Sequence, residues 1–127
     1  MYHIIPKCSR ICGSVGFGRN LRSQRCGREA RSAGKGQPLL LLHGTPKTHY
    51  YWYKLIPLLT AHFRVVAPDL RGFGDTDKPP AEEGYDSLTS AKDVSELMTQ
   101  LGHQQFHLHG EDRGAEFAYA LAASEPD

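Results

Sequence analysis

Residues 106–119 read Phe-His-Leu-His-Gly-Glu-Asp-Arg-Gly-Ala-Glu-Phe-Ala-Tyr, a short apolar stretch running into Gly-x-Asp-x-Gly-Ala and then into good helix formers. A strand that enters a helix through small residues turns so sharply that its middle residue is pushed out of the backbone. Gly110 and Gly114 leave room for a turn too tight for side chains, which puts Asp112 at the apex. A carboxylate there is already ionised near neutral pH and attacks carbon without a base to deprotonate it. Taken alone, an aspartate just before a helix reads first as its cap. The glycines on either side and the segments upstream set it apart from an ordinary cap.

Those segments alternate between strand and helix patterns. Leu39-Leu40-Leu41-Leu42, a continuous apolar run, fits a strand buried on both faces. His43-Gly44-Thr45-Pro46 ends it. Residues 50–61 carry Trp52, Leu55, Ile56 and Leu59 at helical spacing, with Pro57 expected to kink or split the helix. A second strand is predicted over 63–67, followed by a loop dense in Gly, Pro and Asp. Leu88, Ala91, Val94, Met98 and Leu101 trace one helix face, with Ser87 or Thr89 near its start and Gly102 past its end. A third strand over 105–109 and a helix over 115–123 complete the alternation. Strands joined over crossover distances make a parallel sheet, whose ligands bind beyond the carboxyl ends of the strands. Both glycine-containing polar turns fall on that edge.

The charge distribution divides the chain. Residues 1–35 hold eight Lys/Arg against one acid, Glu29, whereas residues 36–127 hold seven basic and thirteen acidic residues. Residues 1–33 read as a basic, disordered leader and residues 34–127 as the folded part. The leader's composition also suits a mitochondrial transit peptide. Its charge is compatible with nucleic acid, but it lacks the aromatics of a base-stacking platform. Cys8, Cys12 and Cys26 all lie in it. Their odd number and uneven spacing fit neither a disulfide scaffold nor a zinc site, and free thiols are expected. His103, His107 and His109 suggest a metal cluster on paper, yet a strand places His107 and His109 on one face with no shared acidic ligand. No run of eighteen apolar residues points to a membrane span.

Three segments taken together resemble the α/β-hydrolase fold: His43-Gly44-Thr45-Pro46, then Asp69-Leu70-Arg71-Gly72-Phe73-Gly74-Asp75-Thr76-Asp77-Lys78-Pro79, then Gly110-Glu111-Asp112-Arg113-Gly114-Ala115. With aspartate on the last turn, the chain is most similar to epoxide hydrolases and to haloalkane or haloacetate dehalogenases. The resemblance implies a partial α/β-hydrolase fold of the α/β class, a parallel sheet with flanking helices, without the cap and C-terminal part. It implies the family's third to fifth strands as a central sheet with open edges, the basic leader replacing the antiparallel strands expected before Gly34.

By the same resemblance, Asp112 is the catalytic nucleophile and forms an alkyl ester. The backbone N–H groups of Thr45 and Arg113 form the oxyanion hole. His43, Gly44, Pro46, Gly110 and Gly114 support the two turns, and Arg71, Asp75 and Asp77 fix the loop between them. No cofactor or metal is implied. The partner is a small-molecule substrate, not nucleic acid or membrane, and the location is cytoplasmic, with mitochondrial import through the leader as the alternative. Haloacetate dehalogenases carry a second arginine three residues after the elbow arginine, to hold a substrate carboxylate. Glu116 stands there in this chain, which favours an epoxide or another neutral electrophile. The alternatives are a haloacetate dehalogenase-like hydrolase and a non-catalytic module on the hydrolase scaffold. In the family the base histidine, its acid and the cap follow the elbow helix. The sequence given stops at Asp127, so the expectation is a truncated hydrolase that keeps the attacking group.

Overall fold

The computed structural model describes residues 3–4, 30–74 and 76–124. The three cysteines and Asp75 lie outside the described residues. Five strands form one sheet: β1 (His3–Ile4), β2 (Ala30–Ala33), β3 (Gln37–Leu42), β4 (Phe63–Pro68) and β5 (His107–Gly110), in the order β1-β2-β4-β3-β5. β3 runs parallel to both β4 and β5, as the crossover spacing requires.

The sheet is nevertheless mixed rather than wholly parallel. β2 pairs antiparallel with β4, Ala33 opposite Val65 and Ala30 opposite Pro68, and β1 pairs antiparallel with β2. Residues 30–33 therefore belong to the sheet and not to a leader, and antiparallel strands do precede Gly34. Ala-Arg-Ser-Ala has no apolar alternation to announce a strand. The open edge of β4 supplies its reason to extend, because the ladder satisfies backbone groups whatever the side chains are. Gly34 (φ 88°) and Gly36 (φ 113°) then carry the chain past the end of β4 to its other side. A β-carbon on Gly34 would strike the Phe63 carbonyl.

The leucine run is continuous because both faces of β3 are covered. Leu40 and Leu42 join Val66, Met98 and Phe117 in one core, while Leu39 and Leu41 join Val65, Ala67, Trp52 and Ile56 in another. Between β3 and β4 the helical stretch is split, as expected, into a 3₁₀ turn at His49–Trp52 and the short helix α1, Ile56–Leu59, with Pro57 in its first turn. Proline lacks the N–H and fits only where no intrahelical bond is needed.

Helix α2 (Ser87–Gln100) starts at the expected serine, but its cap is the residue before: Asp86 accepts the Thr89 N–H at 2.9 Å. Gly102 (φ 80°) ends the helix as expected. Helix α3 (Arg113–Ser124) starts immediately after Asp112, two residues earlier than its alanines suggest. The loop after β4 folds inward. The Arg71 Nε donates to the Asp93 carboxylate of α2 at 2.7 Å, both side chains being buried, and the Thr76 hydroxyl donates to the Leu70 carbonyl at 2.8 Å. The Asp77 carbonyl accepts the Gly72 N–H at 3.1 Å.

Candidate active site

Two polar turns leave adjacent strands at the same level. Leu42 of β3 pairs with Gly110 of β5, and the Glu111 N–H donates to the Leu42 carbonyl at 3.1 Å. His43-Gly44 and Glu111-Asp112 thus emerge side by side at the carboxyl edge of the sheet, where such folds place ligands.

Asp112 has φ 55°, the one positive φ outside glycine among the described residues, and it is exposed. Aspartate tolerates this region better than most residues, but it is still a strained place, and such places cluster at functional sites. The glycines explain how the turn is reached. A β-carbon on Gly110 would collide with the Gly114 carbonyl, and one on Gly114 with the carbonyls of Leu42 and His43. Strand and helix approach too closely there for any side chain. Gly44 is needed for a third approach: a β-carbon on it would lie 2.6 Å from Cβ and 2.8 Å from Oδ2 of Asp112. The first turn therefore lies directly against the carboxylate.

Thr45 follows Gly44 and Arg113 follows Asp112, so these two residues flank that contact, and both are exposed. The Thr45–Pro46 peptide is cis, and the Lys47 N–H closes the turn on the Gly44 carbonyl at 2.9 Å. The Gly114 and Ala115 N–H groups donate to the carbonyls of Glu111 and Asp112, each at 2.9 Å, starting α3. The Arg113 Nη2 donates to the Tyr85 carbonyl at 2.9 Å, and the guanidinium lies over the Phe117 ring. Glu116 is exposed in the first turn of α3.

His43 is fully buried. Its Nε2 accepts the Leu70 N–H at 3.0 Å, which assigns the proton to Nδ1, and Nδ1 donates to the Gly44 carbonyl at 2.9 Å. The ring therefore braces the first turn against the end of β4 and is not placed to act as a base. Burial holds its pKa below the ordinary 6.5. The unfolded chain then takes up a proton that the folded chain refuses. Stability is complete above about pH 6.5 and falls as the pH drops below it. Urea unfolding at about pH 7.5 and about pH 5.5 should show that loss, and His43→Leu should reduce the difference between the two. His103, also depressed, chiefly by burial, keeps part of it.

His107 and His109 do share a face of β5, and they pack edge-on against Phe63 and Trp52 with ring centroids 5.5 Å apart in each case. Two pairs escaped the sequence reading. Asp69, buried, accepts the His49 N–H at 2.6 Å and faces the His49 Nδ1 at 2.8 Å, tying the 3₁₀ turn to the loop after β4. Lys47 Nζ meets Glu111 Oε1 at 2.9 Å across the two polar turns. No spacing rule reveals either pair, since their partners meet only through the sheet.

The sequence profile of the alpha/beta hydrolase fold matches residues 37–127, and the chain belongs to that family. Among its relatives, the soluble epoxide hydrolase of Corynebacterium sp. (strain C12) is 45% identical over 96 residues, covering 76% of this chain and 33% of that protein. The fluoroacetate dehalogenase of Burkholderia sp. is 42% identical over 97 residues, covering 74% of this chain and 32% of that one. The solved structure of the epoxide hydrolase CorEH without ligand superposes with a TM-score of 0.76 at 43% identity, covering 79% of this chain and 35% of its own. The chain thus spans about a third of the length of the relatives it matches. Among the described residues no helix is long and apolar enough to cross a membrane.

Proposed function

We propose that Asp112 is the nucleophile of an epoxide hydrolase-like reaction on a small, neutral electrophile. The observation that carries this reading is the contact between the turns: Asp112 is held at positive φ with the Gly44 backbone against its carboxylate. A carboxylate oxygen attacks an epoxide carbon, the ring C–O bond breaks, and the freed alkoxide takes a proton from a neighbouring acid or water. The product is a hydroxyalkyl ester of Asp112. Water attack on the ester carbonyl then builds negative charge on its oxygen, and the Thr45 and Arg113 amides receive that charge. Among the described residues no backbone hydrogen bond engages either amide, which leaves both to serve as donors. The base that activates this water is expected, by resemblance, from sequence following the elbow helix.

A haloacid substrate is the second reading, favoured by the identity to the fluoroacetate dehalogenase. It needs cations for the substrate carboxylate. The Arg113 guanidinium is instead drawn to the Tyr85 carbonyl, and Glu116 adds a negative charge nearby in sequence. Mass spectrometry of the peptide that contains Asp112, after exposure to a small aryl epoxide or to chloroacetate, tests the choice. The epoxide should label that peptide at least about tenfold faster. Faster labelling by chloroacetate assigns the haloacid reading, and labelling by neither assigns a non-catalytic scaffold.

A further inference from the structure

The Lys47–Glu111 pair joins the two turns that the proposed reaction uses. Lys47 closes the turn that presents Thr45, its N–H on the Gly44 carbonyl at 2.9 Å. Glu111 immediately precedes Asp112, its N–H on the Leu42 carbonyl at 3.1 Å. Between their side chains the Nζ–Oε1 distance is 2.9 Å. The same ammonium sits 3.8 Å from the centroid of the Tyr51 ring, so the 3₁₀ turn contributes a third point of contact. The Tyr51 hydroxyl and the Lys47 ammonium hold the Glu111 carboxyl below its ordinary value, and Glu111 in turn raises Lys47. Both groups are therefore charged throughout the neutral range, and the pair persists there.

We propose that Lys47, Glu111 and Tyr51 form a clasp that positions the Thr45 and Arg113 amides against Asp112. The backbone explains why one is useful here. The first turn ends in an exposed Thr-Pro segment with no sheet partner, while the elbow is fixed at the head of α3. Gly44 removes the side chain that would otherwise set their separation. A charge-assisted bond between the flanking residues sets it instead. A displacement of about 1 Å between reacting groups costs on the order of a hundredfold in rate, so even a half-exposed pair of little value to stability matters at this place. Lys47 and Glu111 are positioning residues: they act through the backbone groups beside them.

The clasp rests on Asp112 being the nucleophile, and the test separates the two ideas. The rate of ester formation with a small aryl epoxide is followed by mass spectrometry of the peptide that contains Asp112 in the wild-type chain and in Lys47→Met, Glu111→Gln and Lys47→Arg. The clasp predicts a limiting rate about tenfold or more lower in the first two, with the half-saturating epoxide concentration unchanged. Lys47→Arg, which restores the charged bond, should recover most of the rate. A simple loss of folding would move thermal stability along with rate and would not spare the half-saturation. The swap Lys47→Glu with Glu111→Lys is the second arm, and it should label faster than either single charge-removing variant. A labelled wild type with variants of equal rate overturns the clasp alone. An unlabelled wild type overturns the nucleophile assignment, and the clasp's catalytic role with it.

Discussion

Asp112→Asn should lower covalent labelling at position 112 by an epoxide by at least about a thousandfold while leaving the fold intact. The amide has the shape of the carboxylate but no charge, and its oxygen is a poor nucleophile toward saturated carbon. The backbone argues that nothing else changes. Asparagine accepts the left-handed region as readily as aspartate, so φ 55° remains available without added strain. The side chain is exposed, so stability should move by no more than about 0.5 kcal/mol. Urea unfolding checks that half of the prediction and mass spectrometry the other. An Asp112→Asn chain that labels at the wild-type rate would place the nucleophile elsewhere. A chain that loses labelling because it unfolds would make Asp112 a structural residue.

Asp93→Ala should cost about 3–5 kcal/mol, the largest stability effect expected of a single substitution outside the backbone contacts. Arg71 and Asp93 are 6% and 4% exposed, and their bond is 2.7 Å long. Two further nitrogens of Arg71, Nη1 and Nη2, have no partner among the described residues. Removing the carboxylate leaves a buried guanidinium without its hydrogen-bonded counter-charge. The loop after β4 would then come away from α2, and with it Leu70, whose N–H holds the His43 ring. Chemical denaturation should show the loss in the midpoint. Arg71→Leu combined with Asp93→Leu should recover part of it, because the charge and its counter-charge leave together. A loss below about 1 kcal/mol would mean that water reaches the guanidinium.

The parts of this molecule written in local chemistry were legible in the sequence. The leucine run announced a strand buried on both faces, and β3 is divided between two cores. Gly110 and Gly114 announced a turn with no room for side chains, and the backbone collisions bear that out. Pro57 announced a break, and the helix is split over residues 53–55, just ahead of it, with the proline in the first turn of α1. Where pairing is set by distant chain, the sequence was silent. Residues 30–33 carry no strand pattern of their own and are recruited by the edge of β4, which is why a boundary drawn from charge fell after them. Asp86 outcompeted Ser87 as a cap by reaching the Thr89 N–H. Lys47 and Glu111 are 64 residues apart and meet only because β3 and β5 are neighbours.

The most direct measurement is peptide mapping of the wild-type chain after exposure to a small aryl epoxide. The nucleophile assignment predicts one adduct, on the peptide that contains Asp112, joined as a carboxylate ester. An unmodified chain, or an adduct on a histidine or cysteine with Asp112 untouched, would contradict it.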